Sequence, residues 1–281
     1  MELKGYSGCS LKIIDSNGVK RVKKTASNTS YNARLCEQKK KQEKVILGNL
    51  HNCRTYEDGY QNGLYFFVME YINGNTFAEH IESIRLSDLE YAVNKLTSHF
   101  VEFERKDCEA NRCFLEKIRE IKSTIFNNNL VEKNSYEINE SIKILEEYKW
   151  DWIVHSPCHG DMTLENILVC MDGLYLIDFL DSFYDTWMID AAKLLQDCEC
   201  FWSYRKNELN SNMRVRLLVF RDLCVERITK MKHGKELMDT VYHILLLNFL
   251  RILPYTKNKD DYIFIKSSIA SLNKKLRGYG L

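Results

Sequence analysis

Residues 158–169, CHGDMTLENILV, bring His159, Asp161, Glu165 and Asn166 within eight positions, and LYLIDFLD at 174–181 adds Asp178 and Asp181. Taken singly, such side chains cap strand ends and turns more often than they catalyse. Their joint spacing fits a narrower chemistry. Moving a phosphoryl group from a nucleotide to a hydroxyl calls for one carboxylate to orient that hydroxyl and accept its proton. A second carboxylate and an amide oxygen must hold magnesium against the phosphates. Magnesium prefers hard oxygen ligands, which Asp and Asn supply and His and Cys do not. Between Asn166 and Asp178 stands ILVCMDGLYLI, which reads as two short strands around a Met171-Asp172-Gly173 turn. That hairpin returns Asn166 and Asp178 to one end, where they can share a cation.

The elements that must position these residues are of two kinds. Up to residue 72 the chain reads as strands with one helix between them. SLKIIDSNGVKRVKKTA forms a hairpin around an Asp15–Gly18 turn, SYNARLCEQKKKQEKVILGNL a charged helix stopped at Gly48-Asn49, and GLYFFVMEYI a buried strand over 63–72. NGNT at 73–76 breaks the pattern, and the rest is mainly helical. SDLE at 87–90 has the form of a capping box, followed by the apolar series Leu89, Val93, Leu96, Phe100 and Phe103. Further helices are expected near 109–126, 135–148, 187–201, 207–232, 235–253 and 259–276. The chain therefore divides into a β-rich lobe, 1–72, and a large helical lobe, 73–281.

Composition narrows the function classes. With 281 residues, 45% hydrophobic and 28% charged, the chain can bury a sizeable core. A formal charge of +1 creates no global field for nucleic acid, and the lysine runs at 20–24 and 39–41 read as solvated faces, so no nucleic-acid partner is expected. The ten scattered cysteines lack zinc-site spacing and read as reduced, mostly buried thiols. The start MELKGYSGCS has no apolar signal core, and the run ILLLNFL at 244–250 is shorter than a membrane span. A cytosolic protein with no membrane partner is the expectation. Oligomeric state is not readable.

HGDMTLENILV and LIDFLD resemble the aminoglycoside phosphotransferase and choline kinase group, relatives of the protein kinases, in which H-G-D-x-x-x-x-N is followed by I-D-[FW]. YDTWMIDAAKLLQD resembles the continuation of that pattern, with Asp185 and Asp190 in place. The resemblance is close over 150–200 and loose over 1–72. It implies an α+β, two-lobed protein-kinase-like fold: a small antiparallel sheet with one helix, then a mainly helical lobe. It implies ATP (or GTP) and Mg2+ as cofactors. By the same carry-over Asp161 is the catalytic base, His159 a loop organiser beside it, Asn166 and Asp178 the metal ligands, and Asp190 a structural anchor. Asp181 would support a second metal or the substrate. In the first lobe FVMEYINGNT resembles the kinase hinge, which would bind adenine through backbone near Glu70 and Ile72 with Met69 behind it. GYSGCS at 5–10, with Ser7 and Gly8, would cover the phosphates. Lys24, on the strand face of Val22, is the expected phosphate-clamping lysine, with Lys23 the alternative. Glu43 is its expected partner, with Glu37 or Gln42 as alternatives.

The acceptor is left open. An aminoglycoside site must be acidic, a choline site rich in aromatics and a sugar site mixed. Near-neutral charge favours a sugar or related hydroxylated metabolite over a polycationic antibiotic. Tyr184 and Trp187 are core residues or, alternatively, rings at the substrate mouth. A different class, a catalytically silent nucleotide-binding protein of the same fold, remains open at the Lys–Glu pair.

Overall fold

The computed structural model describes residues 2–3, 9–16, 18–206 and 209–278. Asp15 starts the first hairpin turn by accepting a hydrogen bond from the Gly18 N–H (2.8 Å), and Gly18 takes the positive φ (+80°) that the turn needs. The flanking strands, β2 (Cys9–Ser16) and β3 (Val19–Ala26), pair along their whole length. With β1 (Glu2–Leu3), β5 (Thr55–Gln61) and β6 (Leu64–Glu70) they make an antiparallel sheet in the order β1-β2-β3-β6-β5. Helix α1 (Asn32–Lys44) lies against β6 and β3. It ends before the expected Gly48-Asn49 stop.

Two residues of this region leave it. Strand β4 (His51–Asn52) pairs in parallel with β9 (Gly173–Leu176), in a second sheet that also holds β7 (Asn75–Thr76) and β8 (Ile167–Cys170). The β8–β9 hairpin is the one expected around Met171–Gly173, and its register sets Ile167 opposite Leu176.

The remainder is helical: α2 (Phe77–His80), α3 (Leu86–Leu96), α4 (Cys108–Thr124), α5 (Tyr136–Glu147), α6 (Trp187–Cys198), α7 (Ser211–Thr229), α8 (Gly234–Ile252) and α9 (Lys259–Leu276). The capping box is not SDLE. Arg85 pairs with Asp88 (2.7 Å) and Ser87 turns its hydroxyl to the same carboxylate, so α3 starts at Leu86 without a side-chain cap. Thr76 and Glu79 form the box instead, at the start of α2. Leu89, Val93 and Leu96 are buried on α3, and Phe100 and Phe103 are buried in the coil beyond it.

Helix α8 is long and apolar enough to cross a membrane, yet it is largely buried and packs against α5, α6, α7 and α9. It is the central rod of the larger core. A separate small core of Val22, Ala26, Leu35, Cys53, Tyr65, Phe67 and Met69 fills the first lobe. The chain thus has the two-lobed α+β arrangement. All ten cysteines are free thiols, of which Cys53, Cys158, Cys198 and Cys224 are buried and Cys108 is exposed.

Candidate active site

One face of α6 carries the loop that holds Asp161. Asp190, Lys193 and Asp197 are three and four residues apart, so they line up along the helix. Asp190 is fully buried and accepts from the His159 N–H and the Gly160 N–H, both at 2.8 Å. Its Oδ2 also meets His99 Nε2 at 3.2 Å. Asp197, equally buried, accepts from the Leu164 N–H (2.6 Å) and from Ser203 N and Oγ (2.9 and 2.7 Å). The two carboxylates therefore grip the loop at both ends. Between them, Lys193 Nζ lies 3.0 Å from Asp161 Oδ1. Asp190 was legible as an anchor. Lys193 and Asp197 were missed, although the i, i+3, i+7 spacing stands in YDTWMIDAAKLLQD.

His159 is buried and accounts for the loop's shape. Its ring Nε2 donates to the Ile177 carbonyl (2.8 Å), while Nδ1 accepts from the Asp161 N–H (3.2 Å). Burial pushes its pKa down, so the ring stays neutral in this tautomer. With both nitrogens occupied it has no free base. Gly160 has φ +88°, and a Cβ there would stand 2.3 Å from the Leu180 carbonyl oxygen, which explains glycine between His159 and Asp161.

The Asp161 carboxylate is 31% exposed. Burial opposes its charge, but Lys193, by charge and hydrogen bond, and Arg251, by charge, outweigh it and hold the carboxyl below its ordinary range. Asn166 Nδ2 donates to the Asp161 carbonyl (2.8 Å) and to Oδ2 (3.2 Å), which leaves the amide oxygen as the outward group. The Asn166 carbonyl accepts from the Ile177 N–H (3.0 Å), so the hairpin does bring Asn166 beside the Asp178 backbone. Asp178 itself sits at φ +60°, a conformation that non-glycine residues rarely hold and that recurs at functional sites.

Asp178 Oδ1 receives Lys24 Nζ at 2.7 Å. Lys24 is 1% exposed and belongs to the inward row Val22, Lys24, Ala26 of β3. Lys23 points outward, donating to Gln61 (2.7 Å) and lying over the Phe66 ring, so the alternative lysine is not in the cleft. The expected Lys24–Glu43 pair does not form. The buried stripe of α1 is Leu35, Gln38 and Gln42, and Gln38 Oε1 lies 3.3 Å from Lys24 Nζ. Glu43, a further 100° around the helix, is exposed and pairs with Lys39 (2.9 Å). Glu37 pairs with Lys40 on the surface, and Gln42 donates to the Cys53 carbonyl (2.7 Å). Of the two carboxamides it is Gln38, not Gln42, that meets the lysine.

At the hinge Met69 is buried and pairs across the sheet with Val22. The Glu70 N–H is taken by the Arg54 carbonyl (2.8 Å) and cannot serve a base. Ile72 packs on the small core beside Ile177, and its N–H has no hydrogen bond among the described residues. Ser7 and Gly8 lie outside the described residues. A groove of about 320 Å³ behind the β8–β9 hairpin, lined by Phe77, Tyr91 and Met171 among others, shares none of the residues named so far for the site.

On the side away from the sheet, Asp181 is exposed, with no hydrogen bond or ion pair among the described residues. Tyr184 is buried and donates to Asp107, and Trp187 is buried in a stack on Phe100 (4.4 Å), so both are core residues. Phe183 is the aromatic ring turned toward Arg251, whose guanidinium is 5.6 Å from its centroid. Glu165 is half-buried. Burial, reinforced by Asp197, pushes its carboxyl up to about 7. Burial raises Asp197 to about 6 and the Cys158 thiol to about 12. Cys158 is thus an inert neighbour of the loop.

Lys41 ties α1 to the opposite lobe. Its ammonium, 9% exposed, donates to Asp185 Oδ1 (2.8 Å) and the Leu180 carbonyl (3.0 Å), with Ser182 Oγ at 3.4 Å.

The donor set fits a hard divalent cation that is also bound by phosphate oxygens. Asn166 and Asp178 offer oxygen, and Asp178 already accepts one cation in the form of Lys24. Among the described residues no group of three or more His, Cys, Asp or Glu side chains could hold a metal without such help.

No protein-family model matches the chain, and no curated protein matches it significantly by sequence. Its fold does match solved structures. Aminoglycoside phosphotransferase APH(4)-Ia superposes with a TM-score of 0.65 at 13% identity, over 98% of this chain and 92% of that one. The ADP-bound aminoglycoside phosphotransferase APH(2'')-Ib gives 0.56 at 17% identity, over 98% and 93%. A candidate fructosamine-3-kinase from Haemophilus somnus 129PT gives 0.54 at 13% identity, over 98% and 90%. The chain has the two-lobed, kinase-like fold of these proteins.

Proposed function

We propose that this chain is a small-molecule kinase that transfers the γ-phosphoryl of ATP (or GTP) to a hydroxyl of a sugar or related metabolite, with Mg2+. One observation carries the reading. Lys24 and Asp178, 154 residues apart in sequence, meet at 2.7 Å beside the loop of Asp161 and Asn166. Solved neighbours of the same fold hold ADP or AMP-PNP, together with hygromycin B in two cases, which supports a nucleotide between the lobes and a small molecule beside it.

In this reading the base lies in the cleft against Val22, Met69 and Ile72, with the Ile72 N–H the free hinge donor. Lys24 turns from Asp178 to the phosphates. Asn166 and Asp178 would hold magnesium, which when bound neutralises charge on the phosphate oxygens. Asp161 orients the acceptor hydroxyl and takes its proton as the oxygen attacks the γ-phosphorus and ADP leaves. A carboxylate held below its ordinary pKa is a weak base, so its work is chiefly to align the nucleophile. Charge neutralisation lowers most of the barrier.

A thermal-shift titration with ATP, with and without Mg2+, tests this directly. ATP at a hundredfold excess over Kd should stabilise the protein by about 2.7 kcal/mol, and only with the metal present. The same shift without magnesium, or none with it, would overturn the reading. Gln38 in place of a carboxylate favours a second reading, a nucleotide-binding protein without turnover. Release of ADP on any member of a panel of hydroxylated metabolites, aminoglycosides and choline decides between the two.

A further inference from the structure

Arg251 is a cation without an ion-pair partner among the described residues. It stands at the last turn of α8, half-buried, and its five N–H donors have one long hydrogen bond, to Asn248 Oδ1 at 3.4 Å, among the described residues. No carboxylate comes within ion-pair distance of it among those residues, and burial pushes its pKa down. Asn248 is itself buried and leaves its Nδ2 without a partner. Taking a guanidinium out of water without pairing it is costly unless a partner arrives from outside.

Its position says which partner. The Phe183 ring holds the guanidinium from one side, on the segment that runs from Asp178 to Asp190. Arg251 is near enough to Asp161 for each charge to act on the other, and Lys193 is already bonded to that carboxylate. Two cations therefore flank the residue that meets the acceptor hydroxyl. The half-buried acid Glu165 feels Asp197 and Asp161, offset by Arg205 and Lys206, while the charges that act on Arg251 besides Asp161 are Arg34, Glu120 and Tyr255. A polycationic acceptor would have to displace Lys193 and approach Arg251 against repulsion.

We infer that the phosphoryl acceptor is an anion, a hydroxylated compound bearing a phosphate or carboxylate, which the Arg251 guanidinium binds in fork geometry while Asp161 receives the hydroxyl. The inference rests on the kinase reading for the role of Asp161, but anion binding at Arg251 can be measured independently.

The test is calorimetric titration of the protein saturated with AMP-PNP and Mg2+, so that the γ-phosphate position is filled. The probes are glucose 6-phosphate, gluconate, glucose and kanamycin. One of the two anions should bind at least about tenfold more tightly than glucose, and kanamycin should not compete. Arg251→Gln should erase that preference, Arg251→Lys should keep part of it, and neither should change AMP-PNP affinity. Equal binding of glucose and both anions, tighter binding of kanamycin, or an unchanged preference in Arg251→Gln would each overturn the inference. If the glutamine variant does not fold, competition by sulfate in the wild type takes its place, and failure of sulfate to displace the anion is equally fatal. If AMP-PNP does not bind, the kinase reading fails, and the same titrations on nucleotide-free protein still judge the Arg251 site.

Discussion

The two lobes place their buried polar groups differently. The larger surrounds α8 with an extensive apolar core and sets its buried carboxylates, Asp190 and Asp197, on the face of α6 that holds the loop. The smaller has a core of seven fully buried apolar residues, and threaded through it are Lys24, Gln38 and Gln42, all 5% exposed or less. A lobe that holds an ammonium among its apolar side chains cannot also maximise apolar burial. Its polar groups are satisfied partly from outside, by Asp178 for Lys24 and by the β4–β9 pairing. The larger apolar core should therefore carry most of the stability, and under the proposed function the sheet lobe would couple ligand to fold.

That contrast can be broken or sharpened by three measurements. The largest expected effect is chemical. Asp161→Ala should lower turnover by about 10²- to 10⁴-fold while nucleotide affinity stays within a few fold, as read by steady-state ADP release beside a binding titration. Loss of nucleotide affinity in parallel would mean that Asp161 shapes the nucleotide site itself. Next comes a matched pair of truncations. Phe114→Ala, in the aromatic cluster with Trp150, should cost about 3–5 kcal/mol of global stability in denaturant melts. Phe67→Ala, in the small core, should instead show as weakened nucleotide binding and local hydrogen exchange, with a smaller shift of the main transition. Equal shifts in the main transition would show that the lobes unfold as one.

The smallest effect concerns pH. The Glu165 carboxyl, raised to about 7, keeps its proton in the fold after the unfolded chain has released it near 4.5. Its contribution is therefore fully present below about 4.5 and is lost as pH rises towards 7. Glu165→Gln should remove about 1–3 kcal/mol of that fall, read from melting temperature against pH. Asp197, raised to about 6, adds a slope of the same sign that the variant leaves behind. An unchanged profile would place Glu165 in solvent after all.

Much of the site was legible because a two-strand hairpin leaves few choices. Once Ile167 and Leu176 are opposite, Asn166 and the residue before Asp178 must meet. Lys24 was legible for a similar reason, since alternate strand residues share a face with Val22. The partner of Lys24 was not, because choosing among Glu37, Gln42 and Glu43 by charge ignored the rotation of α1. Leu35 is its buried apolar residue, and residues three and seven further on share its face. Those are Gln38 and Gln42, and a carboxylate one step beyond turns to solvent. The pair Lys193–Asp161 was legible in part: the spacing puts Lys193 on the Asp190 face of α6, but nothing local in the sequence says that this face meets the loop of Asp161. The SDLE motif failed for a local reason, the competing Arg85–Asp88 pair.

The bonds of Lys41 bear on how such a molecule could be governed. Swinging α1 away from the larger lobe would exchange the bonds of the Lys41 ammonium to the half-exposed Asp185 and to the Leu180 carbonyl for bonds to water, a net cost of about 1–2 kcal/mol. A difference of that size leaves the displaced arrangement occupied at the level of several per cent. The helix is a latch rather than a rivet, and a modulator that replaces the contacts of Lys41 would shift its position.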